Sequence, residues 1–79
     1  MVKFSDMVKE VLGEEVLRER KGTIEFFKDK KDEYRWRIIA PTGDKIANCG
    51  EGYKNKKDCV NGLDSVRWHI DNSDVLENW

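Results

Sequence analysis

The chain has 79 residues, 38% hydrophobic and 39% charged, and a chain of this length can close only one small core. Fifteen Lys and Arg side chains against sixteen Asp and Glu give a formal net charge of −1, which lacks the strongly basic character of a dedicated nucleic-acid binder. The longest apolar run, Ile38–Ala40, is far shorter than the roughly 20 residues of a membrane-spanning helix.

The first predicted element is an amphipathic helix at the start of the chain. Its apolar side chains recur at helical spacing along one face: Phe4, Met7, Val8, Val11 and Leu12. Ser5 or Asp6 can cap this helix, and Gly13 interrupts it before an almost entirely charged stretch. We predict a helical extension from Phe4 to Leu17 within residues 1–21, outside the main domain.

Three strands follow, because the apolar period changes from 3.6 to two after Gly22. The predicted strands are residues 23–28, 33–40 and 45–49, with polar turns at residues 29–32 and 41–44. In the second turn Pro41 presets φ, and Gly43 can take a positive φ. Two short connections in succession predict an antiparallel β-meander.

A second helix is predicted after the glycine-rich loop Gly50–Lys54. Asn55 and Asp58 have the spacing of a capping box, and an apolar stripe marks the helix itself: Cys59, Leu63, Val66 and Ile70. Gly62 beside this stripe lets the helix lie close to the sheet. The predicted fold class is therefore α+β, a three-stranded antiparallel β-meander over residues 22–71 with one helix on one face, plus the N-terminal helix.

Residues 72–79 form a predicted C-terminal tail. It carries three apolar side chains, Val75, Leu76 and Trp79. Because Trp is costly to leave in water, we expect the tail to fold back on the sheet or on a partner.

The sequence predicts no metal, cofactor or catalytic site. Cys49, Cys59 and His69 are too few for a four-ligand zinc site. Since no secretion signal precedes them, we expect a cytoplasmic protein whose thiols are free and fill the core. Asp64 and Asp71 are further candidates for catalysis, but they complete no Ser/His/Asp or Cys/His arrangement, and so small a domain has little room for a cleft.

An ordered set of short motifs runs through the middle of the chain: Phe26–Asp29, Glu33–Arg37, Ile46–Ala47, Gly50–Tyr53 and Asn61–Val66. In this order they resemble the YegP-like family of small bacterial and archaeal proteins of unknown function. The resemblance covers about Gly22 to Arg67, more than half of the chain. Asp32 stands where the family commonly has glycine, and Asp tolerates a left-handed turn position.

The resemblance implies a compact three-stranded antiparallel sheet with one helix packed across it. It also implies single copies that tend to form homodimers, or tandem repeats of the unit. It implies no known catalytic residue and no established cofactor. The two ends of this chain lie outside the repeat, so what is particular to this protein is expected there.

Side-chain alternation divides the predicted sheet into two faces. The face under the second helix is predicted to carry Ile24, Phe26, Trp36, Ile38 and Ile46. The far face is predicted to carry Phe27, Arg35, Arg37, Ile39 and Ala47. Because one helix covers one face, the apolar side chains of the far face need separate cover.

A homodimer through the far face is the predicted arrangement, with Phe27 and Ile39 buried between copies and Arg35 and Arg37 paired with acidic side chains. The N-terminal helix or an unidentified protein partner would cover the same face instead. The alternative function is nucleic-acid binding, since an aromatic flanked by arginines on an open sheet can stack bases and hold phosphates. The net charge makes this alternative the weaker one.

The loop before the second helix is a second candidate site. Gly52, Lys54, Lys56 and Lys57 lie beside a helix N-terminus, where free backbone N–H groups favour an anion. The spacing is not that of a phosphate-binding loop, and lysines in this position are commonly solvated. Both interpretations are open at this point.

Overall fold

The computed structural model describes residues 2–13 and 20–79. Its elements in chain order are β1 (Val2–Lys3), α1 (Phe4–Leu12), β2 (Thr23–Lys28), β3 (Tyr34–Ile39), β4 (Lys45–Asn48), α2 (Lys56–Asn72) and β5 (Asp74–Val75). The α+β prediction is confirmed, since β2, β3 and β4 form one antiparallel sheet in that order. The predicted continuation of the first helix toward Leu17 lies outside the described residues.

Helix α1 begins earlier than its predicted caps. Lys3 is the N-cap residue and makes no side-chain cap hydrogen bond, so the prediction of Ser5 or Asp6 as cap is wrong. The start is held by backbone pairing instead, because β1 pairs with β5 and places Val2 opposite Val75. This two-stranded sheet joins the two ends of the chain. Each of its strands has only two residues, which is too few for the alternation of apolar and polar side chains to predict a strand.

Asp29 organises the turn between β2 and β3. Its Oδ1 accepts hydrogen bonds from the backbone N–H groups of Lys31 (2.9 Å) and Glu33 (3.0 Å), and its Oδ2 accepts one from Arg35 Nε (2.5 Å). The Arg35 hydrogen bond, followed by that of the Glu33 amide, lowers the pKa of the Asp29 carboxyl. Asp32 has φ of 64°, the left-handed conformation expected where the family has glycine.

The β3–β4 pairing corrects the predicted faces at one point. Ile38 pairs with Ala47 and Ile39 with Lys45, so the register shifts and Ile46 is the extra residue of a β-bulge. Ala47 therefore packs against the core on the helix side, while Ile46 is 65% exposed. The prediction that Ile46 lies under the helix and Ala47 on the far face is wrong, because strict alternation does not survive a bulge.

The core lies between β3 and α2. Trp36, Cys49 and Cys59 are its buried members. Half-buried side chains surround them: Tyr34, Ile38, Ala47, Tyr53 and Leu63. Both cysteines are free and packed in the core, as the sequence predicts.

Helix α2 begins at the predicted cap. Asn55 Oδ1 accepts a hydrogen bond from the backbone N–H of Asp58 at 2.8 Å, and Asn55 Nδ2 donates to Asp58 Oδ2 at 3.0 Å. Gly62 allows close packing on this helix, because a Cβ there would lie 2.2 Å from Tyr53 Oη. Two backbone hydrogen bonds of 2.8 Å with Tyr34 hold Tyr53 in place.

We expect Gly62→Ala to destabilise the protein by up to about 2 kcal/mol. Alanine is favoured over glycine in a helix by about 1 kcal/mol, but forcing a methyl group into a packed site costs about 1–3 kcal/mol, and the ring and hydroxyl of Tyr53 lie in its way. Urea unfolding measures the change. Asn61→Ala, at the exposed neighbouring position, is the control and should be neutral or stabilising. Equal stability of Gly62→Ala and wild type would show that the Tyr53 ring moves aside freely.

The low pKa of Asp29 predicts a stability that depends on pH. A carboxyl whose pKa is lowered by folding stabilises the fold above its ordinary pKa, and this contribution disappears as the pH falls through the lower folded value. We expect Asp29→Asn to be less stable than wild type at neutral pH, with the difference shrinking below the ordinary aspartate range. Urea unfolding across pH measures it, with Glu51→Gln as an exposed control. A difference that stays constant with pH would contradict this role for the carboxylate.

Candidate interaction surfaces

An apolar groove of about 390 Å³ runs between β2 and α2. Its apolar lining consists of Ile24, Phe26, Ile38, Val60, Leu63, Val66 and Ile70. Asp64, Arg67 and Asp71 stand along its α2 side. The lining is predominantly apolar, and the sequence did not predict this groove.

The groove is open because α2 covers the sheet only in part. Ile24 is 54% exposed and Phe26 48% exposed, although both lie on the helix side of the sheet as predicted. On the opposite flank Tyr53 and Cys49 close the core against β4. Alternation along a strand predicts the face of a side chain but not whether the helix reaches it. Val60 lies one position from the apolar stripe of α2, and this residue could have indicated that the apolar surface of the helix extends beyond the stripe.

Strand β2 is also an outer strand of the three-stranded sheet. Within the described residues it pairs with β3 alone, so its other edge presents unpaired backbone groups. The edge is six residues long, Thr23–Lys28. An apolar groove and an open strand edge therefore lie side by side.

The predicted far-face residues are brought together by the structure, but their charges are already paired. The Arg37 guanidinium lies 4.5 Å from the centre of the Phe27 ring and forms an ion pair with Glu25. Arg35 is paired with Asp29. Phe27 and Ile39 are half-buried in the single chain. On this face, therefore, both arginines are paired and both apolar side chains are half-buried.

The predicted loop site is only partly assembled. Lys54 Nζ lies 3.1 Å from Glu33 Oε2, and a Cβ at Gly52 would lie 2.6 Å from the Glu33 Cβ. Gly52 therefore serves the close approach of loop and strand. Lys56 and Lys57 are exposed in the first turn of α2.

The polar candidates for catalysis do not converge. Burial raises the pKa of the Cys59 thiol, so its thiolate is disfavoured. His69 lies on the exposed end of α2, with Nδ1 3.2 Å from Ser73 Oγ. Within residues 2–13 and 20–79 no three metal-ligating side chains cluster. None of the helices in that part of the chain has the length and hydropathy of a membrane span.

The two largest apolar side chains of the C-terminal tail are exposed. Trp79 is 97% exposed and Leu76 73% exposed, so neither side chain packs on the sheet, and packing of the tail on a partner stays a prediction. Only Val75 is half-buried, through the pairing of β5 with β1. The pairing of β5 ends at Val75, so Leu76 and Trp79 lie beyond it.

Known proteins share this fold and much of its sequence. Residues 29–77 match the domain of unknown function DUF1508. A UPF0339 protein of Treponema denticola is 39% identical over 71% of this chain and 95% of its own length. A UPF0339 protein in the ptx operon 5' region of Stutzerimonas stutzeri is 46% identical over 58% of this chain and 40% of its own length.

A solved structure gives the same relationship. The NMR solution structure of a protein from Haloferax volcanii superimposes with a TM-score of 0.64 and 37% identity, over 75% of this chain and 98% of the other. The resemblance predicted from the ordered motifs is confirmed by these matches. The chain belongs to the YegP-like family of small uncharacterised proteins, which the domain of unknown function DUF1508 defines.

Proposed function

We propose that the protein is a non-catalytic interaction and assembly module of the cytoplasm that acts as a homodimer through the groove and the β2 edge. The observation that carries this proposal is the surface of the single chain. Its accessible area is 7034 Å², whereas a compact monomer of 9.3 kDa is expected to expose about 5,000 Å². The excess is about 2,000 Å² per chain, part of it in α1 and the exposed tail, whereas obligate dimers bury at least about 1,000 Å² per partner.

The dimensions of the chain agree with this excess. Its radius of gyration is 15.1 Å, against about 12 Å for a compact domain of this length. Three hydrophobic residues are buried in the described part of the chain. A second copy would supply the missing cover.

Strand spacing supports a particular arrangement of the second copy. If the β2 strands of two copies pair antiparallel, the two β3 strands lie three strand spacings apart, about 14 Å. The two α2 helices, each over its own β3, are then separated by about the same distance. Packed helices are 8–10 Å apart, so the two α2 helices would leave an additional gap of about 4–6 Å between them. The apolar side chains of the two grooves would fill this gap. The two open grooves would become one closed core.

Face matching selects the register of this pairing. Opposed residues share a face, so a two-fold axis must pass through a residue and not between two. With the axis at Phe26, the two Phe26 rings meet over the groove and Ile24 lies opposite the partner's Lys28. Axes at Glu25 and Phe26 pair the most residues of β2, and an axis at Glu25 would set like charges directly opposite one another. We therefore place Phe26 on the axis.

The far face remains the other surface proposed for a dimer. Phe27 and Ile39 are less exposed there than Phe26 and Ile24 are beside the groove, and Arg37 already covers the Phe27 ring. The apolar area available to a partner is therefore larger at the groove. Adjacent residues of one strand point to the two faces, so one experiment separates the two surfaces.

Nucleic-acid binding by the far face draws no support from the side-chain contacts. Arg35 and Arg37 have carboxylate partners at Asp29 and Glu25, so phosphate contacts would have to displace them. We expect no binding of a fluorescent single-stranded oligonucleotide by anisotropy at physiological salt. Binding that weakens steeply with added salt, and is lost in Arg37→Ala, would establish this alternative.

We expect light scattering across a dilution series to give twice the 9.3 kDa chain mass for wild type. Phe26→Asp should give the monomer mass, because it places a charge at the centre of the apolar interface. Phe27→Lys is the control on the opposite face of the same strand and should stay dimeric, because position 27 lies opposite the partner's Glu25 in this register and gains no like charge. Circular dichroism checks that both variants fold.

The reverse pattern, with Phe27→Lys monomeric and Phe26→Asp dimeric, would move the interface to the far face. A wild-type mass that stays at one chain at every concentration would overturn the homodimer. In that case the groove would belong to a different protein.

A further inference from the structure

We propose that charges at the two ends of α2 set the antiparallel orientation of the dimer, with Lys56 of each copy paired to the partner's Asp71. This inference rests on the proposed homodimer. Its starting point is an anomaly in α2. A helix N-terminus favours acidic side chains and a C-terminus favours basic ones, but Lys56 and Lys57 open α2 and Asp71 lies in its last turn.

The favourable charges do not offset this arrangement. The first turn has Asp58 and the last turn has His69, yet two lysines precede Asp58, and Asp74 follows the helix end. Both ends therefore carry charge that opposes the helix dipole. An exposed side chain whose charge destabilises its own helix points to a contact outside that helix.

Neither Lys56 nor Asp71 has an ionic partner within the described part of the chain. The same region forms other pairs readily, since Arg67 is paired with Asp64 and Lys54 with Glu33. Lys56 and Asp71 are both exposed. Their charges remain available to a partner.

Both side chains lie on the groove side of α2. Lys56 lines the hollow at the end of β2 together with Lys28 and Val60. Asp71 lines the groove at the other end of β2, together with Ile24. Helix α2 therefore runs antiparallel to β2, with its basic end near Lys28 and its acidic end near Ile24.

The proposed two-fold axis brings the opposite charges to the same level. With Phe26 on the axis, Ile24 lies opposite the partner's Lys28, so Asp71 lies level with the partner's Lys56. Helices with their side chains are 10–12 Å wide, and two helices about 14 Å apart bring facing long side chains within reach. The symmetry repeats the pair on the other side of the axis.

These pairs determine orientation more than strength. Exposed ion pairs add little affinity, but complementary charges steer encounter, and like charges reject wrong arrangements. A parallel arrangement of the two helices would set Lys56 against the partner's Lys56 and Asp71 against the partner's Asp71. The charges that weaken the single helix would thus specify the dimer.

Two single substitutions separate the helix from the interface. Lys56→Glu and Asp71→Lys each give the helix end its favourable charge, so neither should lower the thermal midpoint of unfolding in a monomeric Phe26→Asp background. In the dimer each creates two like-charge pairs. We expect the dissociation constant, measured by sedimentation at about 20 mM salt, to rise about tenfold for each variant and to approach wild type at about 500 mM salt.

A mixture of the two variants provides the decisive test. In a mixed dimer Glu at position 56 meets Lys at position 71 on one side, and native Lys56 meets native Asp71 on the other. We expect an equimolar mixture to form heterodimers about as tight as the wild-type dimer. Lys57→Glu makes the same charge change one position along the helix, where Lys57 lines a shallow hollow with Lys56 and Asp64 but neither the groove nor the hollow at Lys28, and it should weaken the dimer less than Lys56→Glu does.

Each outcome has a distinct meaning. Homodimers of both variants as tight as wild type at low salt, or a mixture no tighter than its components, would overturn the charge pairing while leaving the dimer in place. A monomeric wild type would overturn the dimer itself, and the charge pairing with it. A weak dimer that the mixture restores only at low salt supports both.

Discussion

The packing of Trp36, on β3, against α2 is the contact on which the rest of the structure depends. It places the single long helix over the central strand, with Cys59 and Leu63 of α2 in the same cluster. A helix 10–12 Å wide spans about two strands at 4.8 Å spacing, so a three-stranded sheet keeps one uncovered margin. Tyr53 and Cys49 close the margin at β4, and the margin at β2 stays open.

Local patterns predicted the elements well because each rests on short-range physics. The Asn55 cap, the apolar stripe of α2 and the left-handed residue at Asp32 are decided by a few neighbouring residues. The errors lie where distant residues decide. The bulge at Ile46 depends on pairing with β3, and the β1–β5 pairing joins residues at opposite ends of the chain. A sequence window contains neither partner.

The candidate surfaces show the same division. Alternation placed Phe26 and Phe27 on opposite faces correctly, but exposure depends on what lies above each face. Phe27, predicted to be bare, is covered by Arg37, whereas Phe26, predicted to be covered by the helix, is 48% exposed. The helix position and the rotamer of an arginine settle these outcomes. Neither has a periodic signal in the sequence.

An open strand edge is a hazard that proteins usually blunt with proline, a bulge or inward-pointing charge. Strand β2 has no proline, and its pairing with β3 continues without interruption from Thr23 to Lys28. Beside it lie the apolar groove and the helix ends with Lys56 and Asp71 in unfavourable positions. Each feature alone weakens a monomer. All three occur along the same side of the molecule, and the proposed two-fold axis at Phe26 would resolve them together with a single arrangement of two copies.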